Sequence, residues 1–487
     1  MKDFNHYLDA IGEIGFVEQI LHSLVYASGL PQAHPQELVV FESGCLGQVL
    51  SISKDQLEIL LLTSEEVAVG EKLARTNEFL QVPVGLGLLG KVIDPLGKII
   101  LGSKEIKDLK LRPVDSDPPK ILERRQVDKP LETGVTIVDL VVPLSKGQRE
   151  LIIGDRKTGK TEFIQQTITT QAKKGCICIY AVIGQKQVDI KKLSEFFEEK
   201  GITANCVIVA SSSSDAPGLI FLTPYTAMAV AESFRDQGMD VLLILDDMTT
   251  HARNHREISL LARRFPGRSS YPGDIFYIQA KIIERAGNFP KGSITLFPVA
   301  ESLLGDLSGY IQTNLMAMTD GHIFFDISLF NQGKRPAVNP FLSVTRVGHQ
   351  TQTPLQRDVS RSLSSFLVSY ERMKQFLHFG AEVGEAAKNV LNLGEQVDVF
   401  FNQSTSVTIP VNANIIILAG LFAGLWNETK IQGLNVELES VLLSYQTNDN
   451  YKKQVDEYLG KISTFQDLVN TIRRNPEIIT SKMGRGG

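Results

Sequence analysis

The chain has little cysteine, no excess of basic residues and no apolar run long enough to cross a membrane. Four cysteines among 487 residues are too few for a disulfide scaffold, which favours a reducing compartment. The 50 Lys and Arg residues against 55 Asp and Glu give a net charge of -5, so the composition argues against a nucleic-acid partner. The most apolar run, Ile415 to Trp426, falls well short of the roughly 20 residues that a spanning helix needs, so we expect a buried helix there. The first residues carry acids and no apolar core, and therefore predict neither a signal peptide nor a transit peptide.

The order of patterns along the chain predicts a multidomain protein. Apolar residues at near-helical spacing predict an N-terminal amphipathic arm over residues 1–23, and short alternating runs predict a small β-barrel over 24–82. Apolar strands alternating with helical segments predict an α/β domain with a parallel sheet over 83–356. Helical spacing then continues through 357–487, which predicts a C-terminal helical domain.

A phosphate-binding loop lies at the start of the α/β pattern. The stretch from Gly154 to Thr161 fits G-x-x-x-x-G-K-[ST] between a predicted strand and a predicted helix. Glycines let backbone N–H groups turn toward a phosphate, Lys160 adds a positive charge, and the Thr161 hydroxyl is a ligand suited to Mg²⁺. The candidate nucleotide-binding residues here are Gly154, Asp155, Arg156, Lys157, Thr158, Gly159, Lys160 and Thr161.

A second motif predicts where the metal is held and raises the question of hydrolysis. Five apolar residues from Val241 end at Asp246, the arrangement of a Walker B strand, so Asp246 joins Thr161 as a predicted Mg²⁺ ligand. Another strand ends at Gln185, where a side chain would face a γ-phosphate. An amide cannot take a proton from water, although some GTPases orient water with glutamine. These two motifs therefore do not decide whether the chain hydrolyses its own nucleotide.

Several segments together resemble the alpha subunit of F-type ATP synthase. The similarity runs in order from about residue 35 to 425 and is most specific between 80 and 350. The segments that carry it are Pro83–Gly90, Gly147–Thr161, Ala181–Lys186, Arg264–Asp274, Thr319–Phe324, Leu329–Asn339 and Leu342–Gly348.

The resemblance implies an architecture and a division of labour. It implies a barrel, a RecA-like nucleotide-binding domain and a helical domain, in a ring of three alpha and three beta subunits around a gamma-like shaft. A delta-like peripheral stalk would meet the N-terminal arm, and a membrane sector would conduct protons or sodium ions during ATP synthesis or hydrolysis. The chain would lie at the membrane through its complex, on the cytoplasmic face of a bacterial plasma membrane.

The resemblance also assigns roles to individual residues. It implies that the alpha site holds Mg-ATP without turnover, with Gln185 where the beta subunit carries a glutamate. Arg346 would reach the catalytic site of the adjacent beta subunit, and Ser343 in the same loop is a further catalytic candidate. The family's adenine pocket falls on Phe330, Arg335, Pro336 and, in a poorly matching stretch, Gln403. His349 and Gln350 replace the small residues usual after the arginine.

Two other functions fit parts of the pattern. A self-sufficient hexameric ATPase of the secretion or flagellar-export type would also carry the phosphate loop, but Gln185 argues against its own catalysis. An RNA translocase similar to the Rho terminator would need a basic, aromatic strand path that the first domain lacks.

His251 and His255 stand at the spacing of helical metal ligands, although a loop or interface role is the commoner one.

Overall fold

A computed structural model describes residues 2–53, 56–63, 66–102, 109–378 and 384–480. Residues 379–383 and 481–487 of the predicted helical domain lie outside the described residues. The chain divides into two compact units. The first unit comprises Met1–Gln126, Ala172–Glu301 and Asp306–Thr319, and the second comprises Val127–Gln171, Ser302–Gly305 and Asp320–Gly487.

The N-terminal helix is shorter than the sequence pattern predicted. Helix α1 spans Phe4–Ile11, with Asp3 accepting the His6 N–H at 3.0 Å as its N-cap. It ends at Gly12, which adopts the left-handed conformation at φ 78° that favours glycine. Strand β1 follows at Ile14–Leu21. The helical interpretation of residues 1–23 is therefore wrong beyond Gly12, because those residues enter the barrel.

Six strands close into the predicted barrel. After β1 they are β2 Leu24–Ser28, β3 Glu37–Phe41, β4 Leu46–Ile52, β5 Leu57–Leu61 and β6 Lys72–Phe79, paired in the order β1-β2-β5-β4-β3-β6. Val25, Phe41 and Ile59 are fully buried inside it. Closure pairs each of these six strands with a neighbour on both sides. The sequence prediction of a small N-terminal β-barrel is confirmed, whereas the exact domain boundaries stay a prediction.

Strands and helices alternate through the middle of the chain. In chain order they are β7 Gln81–Val84, β8 Val92–Ile93, β9 Ile99–Leu101, β10 Lys110–Pro113, β11 Pro130–Leu131, α2 Thr136–Val141, β12 Leu144–Ser145, β13 Glu150–Gly154, α3 Lys160–Lys173, β14 Ile177–Gln185, α4 Gln187–Glu199, β15 Cys206–Ser212, α5 Pro217–Asp236, β16 Asp240–Asp246, α6 Met248–Leu261, α7 Ile275–Ile283, β17 Gly287–Asn288, β18 Ser293–Glu301, α8 Tyr310–Met318, β19 Gly321–Phe325, α9 Ile327–Asn331 and β20 Val344–Thr345.

Both units contain the parallel strands that the sequence predicted. In the first unit, β18, β16, β14, β15 and β8 pair in that order and all run parallel. In the second unit, β13 pairs in parallel with β19, and β20 adds antiparallel to β19. The strands β13 and β15 are buried along their whole length, which explains the apolar runs Leu151–Ile153 and Cys206–Ala210 within them. Parallel pairing brings strand carboxyl ends to one edge, where ligands usually bind.

The C-terminal part is helical, as predicted. Its helices are α10 Pro354–His378, α11 Glu385–Phe401, α12 Val411–Ala423, α13 Ile431–Thr447, α14 Asp449–Lys461, α15 Phe465–Arg474 and α16 Glu477–Thr480. The apolar run beginning at Ile415 lies in α12, where Ile416, Leu418 and Ala419 are fully buried. The expectation of a buried helix is confirmed. Among the described residues, no helix has both the length and the apolar character that crossing a membrane requires.

Candidate functional site

The phosphate loop connects β13 to α3 in the second unit. Gly159 has φ +98°, and a Cβ added there would meet no heavy atom within 4 Å, so backbone conformation rather than crowding favours glycine. Helix α3 begins at Lys160 and runs for 14 residues. The N–H groups of its first turn lack partners within the helix and lie at the positive end of its dipole. This loop has the backbone form of an anion site.

The side chains that would meet a nucleotide lie at the helix start. The Lys160 ammonium donates to the carbonyl oxygens of Gly154 at 2.8 Å and Asp155 at 2.6 Å. Thr161 follows in the first helical turn and is exposed. A point charge, an exposed hydroxyl and a helix N-terminus are the chemical groups that bind a magnesium-associated phosphate chain. The residues present therefore fit a Mg-nucleotide.

Two of the predicted loop residues support the loop with their side chains. The Asp155 carboxylate accepts the Ser302 hydroxyl at 2.6 Å and the Gly305 N–H at 3.1 Å. The Thr158 hydroxyl is buried and donates to the Asp155 carbonyl at 2.8 Å. Their side chains thus fix the loop, and only their backbone can serve a ligand. Sequence analysis missed Ser302 because nothing local links positions 147 residues apart.

Gln185 and Asp246 lie together in the first unit. They end the neighbouring parallel strands β14 and β16, and the Gln185 amide donates to the Asp246 carbonyl at 3.3 Å. The Tyr180 hydroxyl donates to the Asp246 carboxylate at 2.7 Å. This bond orients the predicted metal ligand. Tyr180 was missed because its strand shows only an apolar pattern in the sequence.

The acid after Asp246 has a different task. The Asp247 carboxylate caps α6 by accepting the Thr250 N–H. Burial, with the nearby charge of Asp246, raises the pKa of Asp247 to about 6. A capping carboxylate is already committed to the helix start, which favours Asp246 as the metal-directed acid.

The histidine pair has protein partners. The ring of buried His251 stacks on Phe221 with centroids 5.1 Å apart, and burial lowers the pKa of His251 to about 3. The His255 Nε2 lies 2.9 Å from an Asp274 carboxylate oxygen. These contacts with other side chains argue against a metal-ligand role for both histidines, and both lie buried in helix α6 rather than in a loop.

The first two predicted adenine-pocket residues stack on each other. The Arg335 guanidinium lies 3.5 Å from the centroid of the Phe330 ring. The same guanidinium donates to the carbonyl oxygens of Phe330 and Lys334, both at 2.8 Å. The stack leaves a fixed arginine plane next to Pro336, which follows through a cis peptide bond.

Gln403 has its amide occupied within the fold. The amide nitrogen donates to the carbonyl oxygens of Gly134 and Val407, both at 2.7 Å, and the amide oxygen accepts the Thr136 N–H at 3.0 Å. Only 6% of the residue is exposed. To contact a base directly, this side chain would have to give up those bonds, so the structure does not support the expected base contact for Gln403.

A cavity of about 570 Å³ in the second unit is lined by two of the predicted pocket residues. Arg335 and Pro336 line it, together with Tyr370 and with Lys334 and Asp398, which form an ion pair at 2.6 Å. Neither Phe330 nor Gln403 belongs to its described lining. The structure thus brings Arg335 and Pro336 to a cavity and leaves the other two candidates outside it.

Arg346 projects from a tightly held loop in the second unit. It follows β20 and is exposed, while its N–H donates to the Asp320 carbonyl at 3.0 Å. The Ser343 hydroxyl accepts the Phe324 N–H at 3.0 Å and donates to the Asn339 carbonyl at 2.7 Å. Ser343 therefore fixes the loop, whereas the Arg346 side chain is exposed. His349 lies 3.0 Å from the Gln352 side chain.

Comparisons with known proteins identify the family. Residues 134–345 match the ATP synthase alpha/beta family, nucleotide-binding domain, and residues 352–475 match the ATP synthase alpha/beta chain, C terminal domain. ATP synthase subunit alpha of Neorickettsia sennetsu is 37% identical over 483 residues, covering 96% of this chain and 94% of the relative. The chain belongs to the family of F-type ATP synthase alpha subunits.

Further alpha subunits give the same result. That of Dictyoglomus turgidum is 41% identical over 411 residues, covering 83% of this chain and 81% of the relative. That of Petrotoga mobilis is 37% identical over 481 residues, covering 97% and 94%. Nothing in these similarities favours a secretion ATPase or a Rho-like translocase. The barrel, nucleotide-binding domain and helical domain match the ATP synthase alpha/beta architecture.

Proposed function

We propose that this chain holds Mg-ATP at its own phosphate loop without turning it over and lends Arg346 to the catalytic site of an adjacent beta subunit. The observation that carries the proposal is the contrast between two strand ends. In the first unit, Gln185 is an amide without charge that is bonded to Asp246 at a strand end, whereas Arg346 is exposed in the second unit on a loop whose backbone is bonded in place. An arginine supplied in trans can raise phosphoryl-transfer rates by about 10³- to 10⁵-fold.

We assign a binding or orienting role to each group of the proposed nucleotide site. Lys160 and the first turn of α3 bind the phosphates, and Arg335 and Pro336 offer flat surfaces for the base. Thr161 and Asp246 are the proposed Mg²⁺ ligands, with Tyr180 orienting the carboxylate. When bound, Mg²⁺ would neutralise phosphate charge. Gln185 can orient a water molecule but cannot remove its proton.

The assembly follows from the family. We propose a ring of three alpha and three beta subunits with a gamma-like shaft, and a delta-like stalk that meets the N-terminal region. A membrane sector would couple ATP synthesis or hydrolysis to the transport of hydrogen ions or sodium ions. The chain itself would lie at the cytoplasmic face of a bacterial plasma membrane through this complex.

The deciding experiment compares Arg346→Ala with Arg474→Ala in the complex purified with its partner subunits. Arg474 is an exposed arginine at the end of α15 and serves as the control. We expect Arg346→Ala to lower steady-state ATP turnover by about 10³- to 10⁵-fold, to a measurable residual rate, while this chain still binds ATP, and Arg474→Ala to keep both properties. Unchanged turnover in Arg346→Ala would remove the proposed role of the arginine. Rapid hydrolysis by the purified chain alone would instead favour a self-sufficient ATPase.

A further inference from the structure

We propose that Gln148 and Glu150 are positioning residues for Arg346, acting through Thr345. The proposal rests on the proposed function of Arg346 as an arginine supplied in trans. Neither residue was singled out by its own chemistry in the sequence, since both lie in the run that leads into the phosphate loop. The side-chain hydrogen bonds from which the proposal is argued are all within the second unit.

The Gln148 side chain links β13 to β20 and uses all of its hydrogen-bonding groups. It is 0% exposed, and its amide oxygen accepts the Ser145 N–H at 2.9 Å. Its amide nitrogen donates to the Glu150 carboxylate at 2.7 Å and to the Thr345 hydroxyl at 3.1 Å. Both amide hydrogens and the amide oxygen therefore have partners. The second bond reaches the residue directly before Arg346.

Glu150 fixes the other end of this bridge. It is 0% exposed, begins β13 and pairs with Gly321 of β19. A Cβ added at Gly321 would lie 2.7 and 2.9 Å from the two carboxylate oxygens of Glu150 and 2.2 Å from the Val344 carbonyl. The carboxyl group is therefore packed against the strand pair that carries the arginine loop. Burial raises the pKa of Glu150 well above its usual range, and the charge of Arg346 opposes that rise.

The remaining contacts of the loop fix the backbone on both sides of the exposed Arg346 side chain. The Thr345 hydroxyl donates to the Pro143 carbonyl at 3.0 Å and accepts the Gly348 N–H at 3.1 Å. Asp320 accepts the Arg346 N–H through its carbonyl, and its carboxylate is paired with Arg149 at 2.7 Å. The bridge from Gln148 completes this frame from the buried side. A frame of this kind sets where the guanidinium can reach.

The same short strand serves two sites. Glu150 begins β13, and Gly154 ends it as the first residue of the phosphate loop. A shift of β13 would therefore reach Thr345 through the Gln148 bridge. Because a misplacement of about 1 Å can cost about 100-fold in rate, a buried hydrogen-bonded bridge is a reasonable means of fixing the arginine.

The test uses the complex purified with its partner subunits and the variant Gln148→Met, which keeps side-chain length and removes the amide. Gln396→Met is the matched control, because Gln396 is also buried, at 4% exposed, and donates to the Trp426 carbonyl away from the loop. We expect Gln148→Met to lower kcat by about 10- to 100-fold with KM for ATP unchanged. ATP binding by the chain alone should be retained in both variants.

A double-mutant cycle separates positioning from a general structural defect. If Gln148 acts through Arg346, then adding Gln148→Met to Arg346→Ala lowers kcat no further. The proposal would be overturned if kcat of the double variant fell by the product of the two single losses. It would also be overturned if Gln148→Met and Gln396→Met lowered kcat equally, or if Gln148→Met left kcat unchanged. If Arg346→Ala itself leaves kcat unchanged, the proposed function fails first.

A second pair of variants covers the case in which Gln148→Met does not assemble. Thr345→Ser keeps the hydroxyl that accepts from Gln148, whereas Thr345→Val keeps the volume and removes it. We expect turnover near that of the unmodified complex for Thr345→Ser and a loss of about 10- to 100-fold for Thr345→Val. Equal turnover in the two variants would overturn the proposal.

Discussion

Single residues in the phosphate loop divide into those that can meet a ligand and those that hold the loop. The motif predicted the position of Lys160 and Thr161, because a glycine loop between a strand and a helix fixes that geometry locally. It could not predict that the Asp155 carboxylate would be used by Ser302 and Gly305, because these lie far away in the chain. Arg346 is a different case: an exposed arginine has no local signal, and only the resemblance pointed to it.

The Asp155–Ser302 bond yields a prediction for nucleotide affinity. Ser302→Ala removes one hydrogen bond that fixes the Asp155 carboxylate, so we expect ATP to bind roughly fivefold more weakly, corresponding to ~1 kcal/mol. Calorimetric titration of the purified chain with Mg-ATP measures this. Ser369→Ala is the control, because the Ser369 hydroxyl only bonds the Ser365 carbonyl one helical turn earlier. Equal affinities in both variants would contradict the supporting role of Asp155.

Asp139 yields a prediction for the pH dependence of stability. Burial raises its pKa to about 7, although Asp139 accepts three bonds from Thr133 and Gly134. An unfolded chain would lose this proton near pH 4 and the folded chain near pH 7, so this group stabilises the fold at low pH and its contribution falls as pH rises between them. Above pH 7 its contribution is constant.

Asp139→Asn isolates that contribution, because asparagine carries no titrating proton. From pH 5 to pH 8 we expect the unfolding free energy of the unmodified chain to fall relative to Asp139→Asn by about 3 kcal/mol. Urea unfolding of both chains at the two pH values measures the difference. A constant difference between them would mean that the pKa of Asp139 is not raised.

At the scale of elements, strands and helices with a strong local period were predictable. The apolar strands β13, β14 and β16 and the helices between them follow from their patterns. The N-terminal arm failed because Ile14 and Val17 continue the helical spacing of α1, although Gly12 ends that helix. Gly12 is a local stop signal, and giving it more weight than periodicity would have placed the first barrel strand correctly.

Alanine substitution should change the unfolding free energy in opposite directions at two helical glycines, because only one of the two lies at the contact between α10 and α11. A Cβ added at Gly394 in α11 would lie 2.1 Å from the Tyr370 ring of α10, so Gly394→Ala should lower the unfolding free energy by about 1–3 kcal/mol. Gly460 in α14 has nothing within 4 Å of an added Cβ, so Gly460→Ala should raise it by roughly 0.5–1 kcal/mol. Thermal unfolding of both variants tests this, and a stabilised Gly394→Ala would refute close packing at α10.

At the scale of the whole molecule, the predicted activity belongs to the assembly. Gln185 is an uncharged amide at the end of β14, and Arg346 is exposed after β20. Under the proposed function, the arginine charge that assists phosphoryl transfer would act at the site of the adjacent subunit. We therefore expect the purified chain to bind ATP with background turnover only. Turnover should appear on mixing with the beta partner and saturate when the two chains are equal in number.

Mixing unmodified and Arg346→Ala chains before assembly tests this division directly. Each ring would then contain a random number of missing arginines, and turnover should fall at least in proportion to the fraction of Arg346→Ala chain. Cooperation between sites would make the fall steeper, because one deficient site would slow the others. Turnover that stays constant until the unmodified chain is nearly absent would mean that the partner's chemistry does not depend on this arginine. Arg474→Ala chains mixed in the same way should leave turnover constant at every fraction, since that exposed arginine lies at the end of α15.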